Sequence, residues 1–309
     1  MAQQIWLGTT DTAWTTITNW ASGAAPSNGD SILIPATATR SIAGAAIATT
    51  LLSVTVEDGY SGSLGTSSAV PLSLVLLHGG AYGTFTFNTS QGTTHFVKLM
   101  NPGKIIVNGA PASPGTGLYG LNIQSGASGD DANTIVNINC DSNQSVGLAA
   151  NVNQATPETG EFDTITVTGG TVTIGSGVTM TDGNPLSSVT VYGGTVYNSS
   201  ATVTVVNRGG KYYGEAGAVT TISTYTSGTT YYNAATWTTC NINDSGVVDC
   251  RDSSATRTIT TLHFYGKGGK FYDPYAIVTQ TNPFQVHDYQ LSDVTVQVGN
   301  AKKFTVAAI

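Results

Sequence analysis

The chain has 309 residues, of which 40% are hydrophobic and only 9% charged, with a net charge of −7. Disorder calls for high charge and few β-branched residues, and this composition has neither. The 11 basic residues are scattered rather than gathered in a stripe, which argues against nucleic-acid binding, and the longest apolar run, AVPLSLVLL at 69–77, is too short to span a bilayer.

Along the chain, the opening MAQQIWLGTTDTAW carries neither a basic nor an apolar leader segment, so no signal peptide is expected and the chain is expected to be made and folded in a reducing cytoplasm. Residues 1–50, with Trp6, Trp14 and Trp20, read as an irregular N-terminal cap over the open edge of a stack of strands. Residues 51–160 read as an irregular β region with long loops: SVTVEDG, GTFTFNTS, KIIVNG and TIVNIN alternate apolar and polar residues, as short strands do. The loopiest part is 110–133.

From 161 to 281 the strands become repetitive. Glycines at 170, 194, 210, 228, 246 and 269 each open a short strand, at spacings of 24, 16, 18, 18 and 23 residues. A self-similar period near 20 points to a solenoid whose rungs complete one another's cores. The expected fold is all-β, a parallel β-helix, with residues 282–309 as a C-terminal β cap. Gly169–Gly170, Gly193–Gly194, Gly209–Gly210 and Gly268–Gly269 recur between strands, so they read as corners where the chain turns at positive φ and rungs pack closely, not as a ligand loop.

Motifs with chemical content are sparse. GTGLYG at 115–120 matches a dinucleotide fingerprint, but a strand-like run follows it where a helix is required. GKGGK at 266–270 lacks the hydroxyl residue of a phosphate loop, Phe271 standing in its place. The four histidines, His78, His95, His263 and His287, form no metal-binding spacing, and no cofactor or metal is expected. Cys140, Cys240 and Cys250 read as small buried thiols, with a Cys240–Cys250 disulfide as the minor alternative. Asp130–Asp131 is similar to the aspartate pair of galacturonan hydrolases, but the N-T-D, G-H-G and R-I-K elements that accompany it there are missing. Asp244, Asp249 and Asp252 form a second acidic group, without a calcium-loop pattern. A catalytic role for these five carboxylates is therefore the alternative and solvated turns the main expectation.

The aromatics recur at similar places in successive units: Tyr192, Tyr197, Tyr212, Tyr213, Tyr231, Tyr232, Tyr265 and Tyr272. Stacked along a solenoid they would form ladders. Because neighbours on a strand face opposite sides, one member of each Tyr-Tyr pair is expected inside and the other outside; ordinary ladder stacking is the main expectation, and an exposed stripe of flat ring faces used for binding is the alternative.

The opening IWLGTTDTAWTTITNWASGAAPSNGDSILIP, LLSVTVEDGYSGSLG at 51–65 and the later GVVDCRDSSATRTITTLHFYGKGGKFYDP and LSDVTVQVG together carry a likeness. The opening resembles those of bacterial β-solenoid surface proteins, and the whole set resembles phage virion structural proteins of the head-decoration or fibre kind. The likeness touches both ends and the repeat and leaves 90–160 poorly covered. It implies a non-enzymatic virion component whose partners are capsid proteins or neighbouring decoration subunits, with host surface glycans as further contacts. A homo-oligomer, with a trimer among the options, goes with that reading. The alternatives are a polysaccharide-degrading tailspike enzyme and a carbohydrate-binding surface adhesin.

Overall fold

The computed structural model describes residues 2–78, 81–115, 119–126, 134–150, 160–180, 183–233, 236–251, 256–287, 293–299 and 306–308. The chain divides into two compact units, one of residues 1–165 with 170–184 and one of residues 166–169 with 185–309. The expected parallel β-helix is what both units form.

In the first unit, one sheet runs Gln3–Ile5, Ser31–Ile34, Ser53–Val56, Thr84–Phe87, Lys104–Val107 and Ile135–Ile138, every neighbour parallel. A second sheet runs Ala45–Thr50, Leu72–Val75, His95–Leu99, Leu121–Ser125, Ser145–Leu148 and Thr171–Ile174, also parallel. The chain visits the sheets in turn, so each circuit adds one strand to each. Val54, Phe85, Ile105 and Val136 stand in register in one inward column, and Val56, Phe87, Val107 and Ile138 in the next. All eight are buried. Parallel strands lie about 4.8 Å apart, so each column is a continuous apolar ladder that no single circuit could shield by itself.

The parallel ladder begins at residue 3, far ahead of the glycine repeat that announces it in the sequence. Its first edge is covered. Leu7 N donates to Asn19 O at 2.7 Å and Ala21 N to Ile5 O at 3.0 Å, laying the returning segment against the strand Gln3–Ile5. Trp20 packs edge-on against Trp6 and Trp14, with ring centroids 5.2 and 4.8 Å away, and its Nε1 donates to Trp14 O at 2.8 Å. The loop before it is tied by Asp11, which accepts from Ala13 N, Thr16 Oγ1 and Asn19 Nδ2. Those donors, the Ala13 amide foremost, hold the Asp11 carboxyl below its ordinary range. This Trp-rich segment satisfies backbone groups that a bare edge strand would offer to other chains, while Ser31–Ile34 and Ala45–Thr50, within the residues 1–50 expected to form an irregular cap, are strands of the ladder.

In the second unit one sheet runs Leu186–Val191, Thr202–Asn207, Val219–Thr224, Trp237–Asn243, Arg257–Tyr265, Phe284–His287 and Val306–Ala308. The other runs Thr195–Asn198, Lys211–Gly214, Thr229–Tyr232, Val247–Asp249, Lys270–Asp273 and Thr295–Val298. The glycine corners join the two sheets. Gly194 and Gly268 take positive φ there, as Gly170 does in the first unit, whereas the 209–210 pair does not. At Gly194, with φ of +74°, a side chain would meet the steric penalty of the left-handed region. The expectation of positive φ at every corner is thus corrected at Gly209–Gly210, where close approach governs instead: a Cβ on Gly210 would sit 2.6 Å from Val191 Cγ1.

Several inward polar side chains of this unit are satisfied by neighbouring side chains or by the backbone. Asn198 Nδ2 donates to Thr202 Oγ1 at 2.9 Å and to Tyr212 Oη at 2.8 Å. Asn207 Nδ2 donates to Thr229 O and Thr230 Oγ1, and Thr230 shares a 2.7 Å hydrogen bond with Thr224. Asp273, fully buried, accepts from the amides of Ile277 and Val278. Without these bonds each group would cost the core about 1–3 kcal/mol. Core volume is traded between rungs. Trp237 lies on Tyr232 with centroids 3.9 Å apart, and Gly214, in register with Tyr232, leaves room for it, since a Cβ there would come within 3.3 Å of Trp237 Cζ2. All three cysteines are free and buried, so no Cys240–Cys250 disulfide forms. Burial, with a smaller push from Asp141, raises the Cys140 thiol to about 12.

His95 is the one fully buried imidazole among the described residues. Its Nδ1 accepts from Leu64 N at 3.3 Å, its Nε2 faces Gln91 O at 3.3 Å, and Phe87 packs edge-on at 4.8 Å. Burial holds its pKa down at about 4. The unfolded chain therefore takes up this proton first as pH falls. The contribution is complete above the ordinary imidazole value of about 6.5 and is lost between there and about pH 4, amounting to about 3 kcal/mol. Urea denaturation across that window should show the loss of stability in the native protein. His95→Phe, which keeps an aromatic ring beside Phe87 but cannot titrate, should start lower by about 1–3 kcal/mol for the orphaned Leu64 amide and lack that part of the slope.

Candidate functional site

The outer faces of the second unit carry the residues that sequence singled out. Counting from each corner glycine gives a fixed parity. The second residue on faces inward: Val196, Tyr212, Thr230, Val248 and Phe271 are all buried. The third faces outward and stacks in register on its counterpart, in the order Tyr197, Tyr213, Tyr231, Asp249, Tyr272. Tyr197 and Tyr213 lie nearly parallel with centroids 4.7 Å apart, and Tyr213 and Tyr231 with centroids 4.3 Å apart and only 6° between planes. All three are half-exposed.

Aspartate replaces tyrosine at the fourth place. Asp249 is 5% exposed because Arg251 lies across it, with Nε 2.9 Å from both carboxylate oxygens. The Arg251 guanidinium also sits 5.0 Å from the centre of the Tyr272 ring. An ion pair and a cation–π contact thus bridge the gap in the aromatic column.

The stacking of Tyr197, Tyr213 and Tyr231 is the expected ladder, and it leaves little flat ring face between the three tyrosines. Rings stacked face to face along the ladder use up one another's faces, and what they turn outward is a row of ring edges and phenol oxygens. Tyr212 and Tyr232, named among the surface tyrosines, are buried: Tyr212 Oη accepts from Asn198 and Tyr232 Oη donates to Thr258 O at 2.7 Å. Burial raises both phenols well above their ordinary range. Each Tyr-Tyr pair does split between inside and outside. The two pairs are, however, offset by one residue, so that Tyr213 rather than Tyr212 is the partner of Tyr231. Tyr192 stands apart at a corner, 53% exposed.

Tyr265 belongs to the other sheet, beside two histidines the sequence kept apart. His263 Nδ1 and His287 Nε2 are 2.9 Å apart, and Tyr265 stacks on His287 with centroids 4.4 Å apart and 14° between planes. Burial, then the neighbouring His287, holds His263 below the ordinary imidazole range. Parity could have turned both outward, since Leu262 and Phe264 flank one and Val286 precedes the other, all buried. The 23 residues between them break the repeat, and register cannot be counted across them. Further along the same sheet Ser188, Thr204, Thr221, Thr239 and Thr261 form a half-exposed hydroxyl column.

Of the candidate carboxylates, Asp130, Asp131 and Asp252 lie outside the described residues, as does part of GTGLYG. Asp244 occupies an exposed turn at φ of +50°, and Asp249 is bound to Arg251. Among the described residues no three His, Cys, Asp or Glu side chains gather around one point. Comparison of the chain with family models, with curated proteins and with solved structures finds no match.

The ladder and the core separate cleanly in energy. Tyr213→Ala removes two ring–ring contacts of about 0.5–1.5 kcal/mol each, so chemical denaturation should record a loss of about 1–3 kcal/mol with the circular-dichroism spectrum retained. Tyr212→Ala opens a cavity in the core and leaves Asn198 short of a partner. It should cost about 3–5 kcal/mol, as large aromatic-to-alanine changes in cores do.

Proposed function

We propose that the chain is a non-enzymatic structural component of a bacteriophage virion, a decoration or fibre-like part that meets capsid proteins or host glycans through its outer faces. The observation that carries the contact surface is the stacked row Tyr197–Tyr213–Tyr231, a rigid line of phenol groups at the spacing of the rungs. Stacking restrains the rings, so less side-chain entropy is lost when a partner docks. Only 9% of the chain is charged, which suits recognition by shape and hydrogen bonds rather than long-range steering. The phage setting is supported by the resemblance at the opening, at 51–65 and in the later repeat. A polysaccharide-degrading activity would need carboxylates that converge. Asp249, already neutralised by Arg251, is poorly placed to be one of them.

Mass spectrometry of purified virions from the source phage should find this chain in stoichiometric amount. Its absence from the particle, or new reducing ends released from host polysaccharide by the purified protein, would overturn the reading. The contact surface has its own test. Replacing Tyr197, Tyr213 and Tyr231 together by Phe keeps the stack and removes the hydroxyls. Binding to particles or to a glycan array should weaken by about 0.5–1.5 kcal/mol for each hydrogen bond lost, while the melting temperature stays near that of the native chain.

A further inference from the structure

His263 and His287 come from adjacent strands of the same sheet, His263 standing opposite Gln285 and His287 opposite Tyr265. Their rings lie 5.0 Å apart, inclined at 38°, and both are half-exposed. With Nδ1 of one 2.9 Å from Nε2 of the other, the pair accommodates a single proton between two lone pairs. Two imidazole nitrogens that share a proton can share a metal ion in its place. With metal–nitrogen bonds of about 2.0–2.1 Å, neighbouring ligands stand about 2.9 Å apart at a square-planar angle and about 3.3 Å apart at a tetrahedral one. Two imidazoles this close can become cis ligands of one ion, an arrangement that suits Cu²⁺, which also heads the affinity order for nitrogen ligands.

Two further features fit such a site. Asn241 stands in register with His263 one rung back. Its Oδ1 is shielded from solvent and has no hydrogen-bond partner, although its Nδ2 donates to Ser223 Oγ at 3.1 Å. Metal-bound histidines donate their second ring N–H to such an acceptor. Tyr265, stacked on His287, restrains that ring against the sheet and lowers the cost of fixing it.

We propose that His263 Nδ1 and His287 Nε2 form a surface chelate for Cu²⁺, with Asn241 as an outer hydrogen-bond acceptor and the remaining coordination positions open to water or to a donor from a binding partner. With His287 held by Tyr265, a turn of the half-exposed His263 ring brings both lone pairs onto one point, a motion that exposed side chains complete in picoseconds to nanoseconds. The chain's net charge of −7 favours a cation at its surface. The inference stands apart from the virion reading and does not need it.

The test is a copper titration of the full chain carrying no affinity tag, followed by isothermal calorimetry and by electron paramagnetic resonance. One equivalent should bind with a tetragonal signal split by two imidazole nitrogens. His263→Asn and His287→Asn should each weaken binding by about ten-fold or more and reduce the nitrogen coupling to one ring, with circular dichroism confirming the fold. Native affinity in both variants would overturn the proposal. A native-protein spectrum lacking two-imidazole coupling would do the same, and that measurement stands even if a variant fails to fold.

Discussion

In a parallel ladder held in register, every side chain has as its nearest neighbour the residue at the same place one circuit earlier. With strands about 4.8 Å apart, this spacing is close enough for rings to stack, for hydroxyls to bond and for methyl groups to interdigitate, and too close for unlike volumes to be ignored. The apolar columns through Val54, Phe85, Ile105 and Val136, the outward tyrosines and the threonine column of the second unit are three results of the same constraint. Inside, it yields a core that no single circuit could bury. Outside, it repeats whatever the strand offers.

Repetition also explains why polar groups can lie so deep. Asn198, Asn207, Thr224 and Thr230 sit where the sheets meet the corners, and neighbouring circuits supply the donors and acceptors they need. Asp273 answers the same need at a turn by accepting two amides at once. An isolated hairpin could not offer these partners. The polar interior is therefore a product of stacking rather than a defect in the core.

Much of this was legible in the chain itself. Alternation marked the strands, and the corner glycines marked where one sheet passes to the other. The inside–outside parity of Tyr212 and Tyr213 could be counted from Gly210. Two things were hidden. The first circuits carry no glycine repeat, because Trp6, Trp14 and Trp20 and the Asp11 turn shape that segment, so the ladder's start at residue 3 had no periodic signal. The meeting of His263 and His287 depends on register across an irregular excursion, and register is set by hydrogen bonding to the neighbouring strand rather than by chain spacing. The ladder that aligns the outward tyrosines also covers the faces between them.

Gly214, Tyr232 and Trp237 show what such a fold asks of its own ancestry. The indole of one circuit occupies space that the glycine of another leaves vacant, so neither position can drift by itself. Variation should be inherited in compensating couples drawn from different circuits, with summed bulk rather than residue identity kept constant. Duplicating or deleting a circuit would succeed only where the two surfaces brought together happen to have matching relief. The uneven spacing of the corner glycines, between 16 and 24 residues, means that successive circuits differ in length and present different relief to one another.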